Sequence, residues 1–354
     1  MKHFAITALS LFICTYAHAN QPTHHAYTNT IIAHNISNIQ HSITQNTFNA
    51  FAIYSNKKNT KSPKKNSPDL YGHAPIYGSE LMYGEFNDDG TMGRNGGDTP
   101  IATLSNIWLN WQHTDNKIKF DNHSPIKNRN DLIIAGLSGN TTYIGPVEHN
   151  WGINTGYTNS ELYNNLHIDS NGGFLGIYNG FKYNQLITKT HISAGASDNT
   201  ADSIFGSDSF TNFWFSSTIS TSYTIALDKT FSLQPVLGAE YTWIKSKDYT
   251  SVSGDTIKND NFNIFKVTPG FHAIKHIANE WYGTMNLLYI MTFANGGDIT
   301  LNNTDISNLN NTKHFEYGIS ITKNIYNTNI HATIGRQDGD IYGWFGNINI
   351  KYIF

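Results

Sequence analysis

The chain has 354 residues, of which 39% are hydrophobic and only 14% are Asp, Glu, Lys or Arg; a soluble domain carries about 25% charged residues. Its mean hydropathy is still polar, at −0.39, because Thr, Ser, Gly and 44 Asn supply uncharged polarity. The 13% aromatic content excludes a disordered chain, and the formal charge of −3 gives no reason to expect nucleic acid.

Residues 1–19 read as an export signal. Lys2 and His3 make a basic start, Phe4 to Tyr16 form a short apolar core, and Ala17, His18 and Ala19 form an A-x-A site with cleavage after Ala19. The core is too short for a spanning helix, which needs about 20 apolar residues. No later apolar run comes close to that length, so a helical membrane protein is excluded. The single cysteine, Cys14, lies inside the signal and follows Ile13, which does not suit lipidation. The mature chain is then expected to have no disulfide, thiol nucleophile or cysteine-bound metal.

Residues 20–103 form a separate N-terminal segment. Ile32, Ile36, Ile39, Ile43, Thr47, Phe51 and Tyr54 recur at steps of three and four, which predicts an amphipathic helix. Lys57, Lys58, Lys61, Lys64 and Lys65, with Pro63 and Pro68, read as a solvated linker. The Tyr- and Gly-rich stretch 71–98 reads as a loop or short hairpin near a barrel mouth. Its Asp88, Asp89 and Asp98 suit turns better than calcium ligation, because their spacing is not that of an EF-hand loop.

From residue 104 the hydrophobic period is two. Phe213, Phe215, Ile219 and Tyr223 share one face, and Trp214, Ser216, Thr218 and Ser220 share the other. Leu237, Tyr241 and Trp243 oppose Gly238, Glu240 and Thr242, and Phe315, Tyr317, Ile319 and Ile321 oppose Glu316, Gly318, Ser320 and Thr322. Twelve such strands are expected near 104–119, 132–143, 150–161, 171–183, 187–197, 211–227, 231–245, 262–273, 281–293, 315–323, 329–336 and 342–354. Their connections alternate long and short almost to the end. A soluble sandwich has no reason for that alternation; a membrane barrel has short turns on one side and longer loops on the other. In lipid every backbone polar group must be paired, so strands can span only as a closed barrel. The predicted fold is therefore all-β: a transmembrane antiparallel β-barrel of about 12 strands over 104–354, preceded by a segment with one helix.

The last strand carries Tyr342, Trp344, Ile348, Ile350, Tyr352 and Phe354 at every second position. Ile350, Tyr352 and terminal Phe354 resemble the signal read by the outer-membrane barrel-assembly machinery. Residues 104–354 resemble the twelve-stranded β-domain of autotransporters. The resemblance rests on Ile107, Trp108 and Leu109 opening the first strand, and on WGINTGYTNSEL (151–162), GGFLGIYNGFKY (172–183), LQPVLGAEYTWI (233–244) and the NIKYIF ending. The N-terminal segment departs from the family: only 84 residues precede the barrel after the signal, with no solenoid repeat.

The resemblance implies a Gram-negative outer-membrane barrel that translocates or displays a short N-terminal segment and the loops 245–261 and 294–314, with an adhesive or structural surface role. Its implied partners are outer-membrane lipid and, during biogenesis, the assembly machinery and periplasmic chaperones. The alternative is a stand-alone pore without a passenger. No enzyme is expected, because G-x-S-x-G, H-E-x-x-H and C-x-x-C are missing from the sequence. No cofactor or metal is expected either. His24 and His25 lie in the N-terminal segment, and His272 and His276 are expected to flank a short turn. Glu240, Lys266, Glu316 and Lys351 are the charges expected on the lumen side. Neighbouring strands would bring Glu240 and Lys266 together as a structural pair.

Overall fold

The computed structural model describes residues 28, 30–49, 104–119, 124–163, 167–203, 206–252, 254–297, 299–301, 304–306 and 311–354. The export signal with Ala19, the lysine-rich linker and the 71–98 stretch lie outside the described residues. The helix α1 covers residues 30–49. Twelve long strands follow: β1 (Leu104–Ile118), β2 (Ile126–Gly139), β3 (Val147–Tyr163), β4 (His167–Tyr183), β5 (Leu186–Ser203), β6 (Gly206–Tyr223), β7 (Phe231–Ser246), β8 (Phe262–Ala278), β9 (Trp281–Gly296), β10 (Thr312–Ile325), β11 (Thr328–Gly339) and β12 (Ile341–Ile353).

Each strand pairs antiparallel with the next, and β12 returns to β1 through thirteen register pairs, from Asn106↔Ile353 to Ile118↔Ile341. The sheet is closed, so no edge strand is left in the ring. The start of β1 and Phe354 lie at the same end of the barrel, termed the inner end; the backbone N–H of Phe354 donates to the Ser105 carbonyl at 3.0 Å. Three inner turns have only two residues: 184–185, 279–280 and 326–327. Asn184, Asn279, Glu280 and Tyr326 there take positive φ, as hairpin turns that match strand twist require.

The predicted connections at the outer end are too long. Residues 162–163, 167–170, 198–203 and 206–210, expected in loops, belong to strands, leaving 164–166 and 204–205 between them. The reason is local. Above the lipid both faces of a hairpin can be polar, so Glu161, Asp169, Asp198 and Asp202 carry no period-two signal, yet the backbone still gains from pairing. The two long outer loops are real, and they pair with each other: Thr256–Asn259 of one against Ile299–Leu301 of the other.

The two faces of the wall are inverted relative to a soluble protein. Ile107, Leu109, Trp111, Leu175, Ile177, Phe213, Phe215, Leu237, Ile319, Ile348 and Ile350 point outward and are 42–64% exposed. Asn110, Asn154, His191, Ser216, Glu240, Thr242, Lys266 and Asn349 point inward and are at most 3% exposed. The outward set makes the apolar band that lipid requires.

Inward-facing rings lie flat on glycines of the adjacent strand. A Cβ on Gly195 would stand 2.3 Å from Cζ2 of Trp214, one on Gly136 2.3 Å from the Trp108 ring, and one on Gly156 2.5 Å from Phe174. Flat rings keep the lumen wide enough for α1. Gly195→Ala is expected to push Trp214 toward the helix and cost about 1–3 kcal/mol by overpacking. The check is heat-modifiable gel migration against temperature; an unchanged unfolding temperature would contradict this role of Gly195.

Candidate functional site

The lumen is occupied by α1. Ile31, Ile32, Ala33, Ile36, Ile39 and Ile43 are at most 5% exposed and join Ile118, Ile126, Leu132, Leu162, Ile168 and Phe210 of the wall in one apolar cluster. Burying an isoleucine side chain stabilises by about 1.5–3 kcal/mol, so this stripe anchors the helix strongly. The sequence pattern predicts the stripe from Ile32 to Thr47 but not its surroundings; Phe51 and Tyr54 of the expected stripe lie outside the described residues. The polar side chains are buried too, and only Asn38, Ser42, Gln45 and Asn49 keep partial exposure. Spaced by four, three and four residues, these form a single wet face of the helix.

Wall residues reach several polar groups of α1, whereas among the described residues the side-chain amide of Asn35 and the hydroxyl of Ser37 are buried without a hydrogen-bond partner. Lys266 on β8 donates from Nζ to the Ser37 carbonyl at 2.7 Å and to Asn38 Oδ1 at 3.3 Å. Ser193 on β5 donates to Gln40 Oε1 at 2.9 Å. Gln112 on β1 both donates to Ser42 Oγ at 3.0 Å and accepts from Asn46 Nδ2 at 2.5 Å. Asn154 on β3 donates to Thr47 Oγ1 at 2.6 Å. Lys189 on β5 donates to the Phe48 carbonyl at 3.1 Å and lies 5.6 Å from that ring's centroid. A cation at the last carbonyls of a helix meets both the open acceptors and the negative end of the dipole.

These contacts set the direction of the helix. Lys189 lies three residues from the start of β5 at the inner end, and it holds the C-terminal residues of α1. Lys266 lies four residues from the outer start of β8 and holds Ser37. The helix therefore runs from the outer mouth, where Thr28 and Thr30 are buried, to the inner end, where β1 also begins. The loop 247–261 packs over the outer mouth: Tyr249 stacks on Phe210 at 4.9 Å, and the backbone N–H of Val252 donates to Asp208 Oδ1 at 2.9 Å.

The four charges singled out in the sequence all face inward. Glu240 and Lys266 are register partners on β7 and β8, but Lys266 spends its hydrogen bonds on the helix. Glu240 Oε2 lies 3.9 Å from His41 Nδ1 of α1, and Glu316 accepts from Gln337 Nε2 at 3.1 Å. Lys351 is buried on β12. His272 and His276 do not flank a turn: β8 continues to Ala278, His272 Nδ1 bonds Asn286 Oδ1 at 2.7 Å, and the His276 ring packs tilted against Tyr282 at 4.9 Å. Sequence reasoning missed Gln112, Asn154, Lys189 and Ser193, which look like ordinary polar lumen positions until the helix lies beside them. Asn110 and Asn349 are register partners whose side-chain amides find no hydrogen-bond partner among the described residues. The wet face of α1 borders a crevice lined by Asn38, Ser42, Thr114, Asn128, Lys266 and Gln337, polar enough to hold water. Among the described residues no group of three or more His, Cys, Asp or Glu is placed to hold a metal.

The model of the autotransporter beta-domain family matches residues 107–343. A comparison with curated protein sequences finds no significant match. The fold is similar to the transport unit of the autotransporter AIDA-I from Escherichia coli (17% identity, TM-score 0.60), covering 76% of this chain and 95% of that one. It is also similar to the translocator domain of autotransporter NalP from Neisseria meningitidis (11%, TM-score 0.62), covering 71% and 89%. The beta domain of the Bordetella autotransporter BrkA is a third neighbour (14%, TM-score 0.58), covering 71% and 100%.

Proposed function

The chain belongs to the autotransporter β-domain family, and from that premise we propose that this outer-membrane barrel has exported its own N-terminus and holds α1 as the plug left in the lumen. The observation that carries the reading is the polarity of the helix: its N-terminus lies at the outer mouth and its C-terminus at the inner end. The chain ahead of residue 28 then emerges on the cell surface, together with the loops 247–261 and 297–311. Its role there is display, adhesive or structural, and not catalysis. A leader removed after Ala19 fits this reading, because it leaves a short displayed tail. The chosen direction also bears on residues 50–103. Both flanking points, residue 49 and Leu104, belong to the inner end, so the segment between them is assigned to the periplasmic side and not to the displayed part. An open channel is disfavoured by a helix that is buried over most of its surface.

Single cysteines test the topology, since Cys14 falls in the proposed leader. On intact cells a membrane-impermeant maleimide is expected to label Gln21→Cys and to spare Ser62→Cys until the outer membrane is permeabilised. Labelling of Ser62→Cys on intact cells would overturn the assignment.

A further inference from the structure

We propose that the outward wall of β11, β12, β1 and β2 carries a binding site for the phosphate-bearing headgroups of outer-leaflet glycolipid. The inference rests on the reading that the end bearing the long loops faces out of the cell. Each of these strands has a last large apolar residue on its lipid face: Ile334, Trp344, Trp111 and Ile133, all 46–56% exposed. Beyond them on the same outward face stand Arg336, Lys117, Lys127 and Arg129, and Lys119 follows β1. The cations therefore lie where headgroups meet acyl chains.

Lys117 and Lys127 are direct register partners. Like charges opposite each other on one face of a sheet repel and destabilise it. Asp115 answers the pair only in part: its Oδ2 lies 3.5 Å from Lys127 Nζ and 3.5 Å from Arg129 Nε. Aromatic rings frame the group. Lys119 Nζ is 4.6 Å and Lys117 Nζ 6.0 Å from the Tyr342 centroid, and Arg336 Cζ is 5.4 Å from that of Trp344. With Asp115, Asp131 and Asp338 the face has five cations against three carboxylates, and Asp131 is already engaged by His113 at 2.9 Å. The adjoining wall of β3–β5 shows the opposite sign: above its apolar band it carries Glu161, Asp169, Asp198 and Asp202 and no Lys or Arg.

Charge segregated in this way is not what solubility alone requires, since interspersed signs serve that purpose. A phosphate carries about −1.5 to −2 charges and strong acceptor oxygens, enough to relieve the Lys117–Lys127 repulsion while an arginine fork binds it. A lipid fits better than a free anion, because the same ligand would cover the apolar residues directly below the cations.

The test uses the full chain in phosphatidylcholine nanodiscs doped with bisphosphorylated lipid A or with its dephosphorylated form. Native mass spectrometry reads the lipid retained after washing. The wild type is expected to retain the phosphorylated lipid and not the other. Lys117→Gln with Lys127→Gln is expected to lower retention roughly thirtyfold, from the contribution of two surface cations. Asp169→Asn with Asp202→Asn on the acidic wall is expected to leave it unchanged. Both pairs are solvent-facing, and unchanged heat-modifiable migration verifies their folding. Equal retention of the dephosphorylated lipid, equal retention by the lysine variant, or displacement by millimolar inorganic phosphate would each overturn the site. Labelling of Lys258→Cys, exposed in the long loop and away from the lipid site, on intact cells separates the two premises: protection there defeats the orientation, whatever the lipid result.

Discussion

Deleting residues 30–49 is expected to convert a closed barrel into a conducting pore. An α-helix with side chains is about 10–12 Å across, and α1 touches β1, β3, β5, β6 and β8 through hydrogen bonds. Removing it leaves a lumen lined by Asn, Ser, Thr, Gln and His side chains, which water enters readily. The ring itself should persist, because its strand pairing is complete without the helix. Planar-bilayer recording of the purified chain reads the outcome. The full chain is expected to show small, infrequent openings through the crevice beside Asn38 and Ser42. The deleted chain is expected to show steady conductance at least an order of magnitude larger. Equal conductance from a deleted barrel that still migrates as folded would mean that the loops 247–261 and 297–311 seal the mouth by themselves, and the plug reading would fall.

Lys266→Met is expected to have the second largest effect. The lysine is 1% exposed, and it faces Glu240 and Glu316 as well as the helix backbone. Removing it withdraws two hydrogen bonds from α1 and leaves buried carboxylates without their cation. Removing one member of a buried charged set costs about 3–5 kcal/mol. The loss should fall on the seat of the helix rather than on the ring, because β8 still pairs with β7 and β9 through backbone bonds. Bilayer recording should therefore show frequent openings while the heat-modifiable transition of the barrel stays near that of the wild type. Adding Glu240→Gln removes one stranded charge and is expected to restore much of the closure. A double variant as leaky as Lys266→Met would refute the charge argument and leave only the lost hydrogen bonds.

Much of the barrel is legible in sequence for a specific reason. Lipid and lumen each act on every second side chain, so alternation such as Phe213, Phe215 and Ile219 against Trp214, Ser216 and Thr218 reports the wall residue by residue. That reading fails where the physics that produces it stops. Above the lipid, around Asp169 and Asp198, neither face must be apolar, and strands there look like loops. The helix is half legible. Its isoleucine stripe is visible at three- and four-residue steps, but an amphipathic stripe says only that something apolar lies on one side. It does not say that Gln40, Thr44, Asn46 and Thr47 are buried as well, because their partners are the wall's own polar groups.

The sequence by itself determined that the chain is a twelve-stranded membrane barrel with a helix ahead of it, since periodicity is a local property of consecutive residues. Only the tertiary structure decided where that helix goes and which way it points. Lys266 meets Ser37 across 229 positions of sequence and Lys189 meets Phe48 across 141. Nothing in the neighbourhood of either residue announces those pairings. They exist because closing the ring gathers inward-facing groups from many strands around one axis, leaving a space that a helix fills.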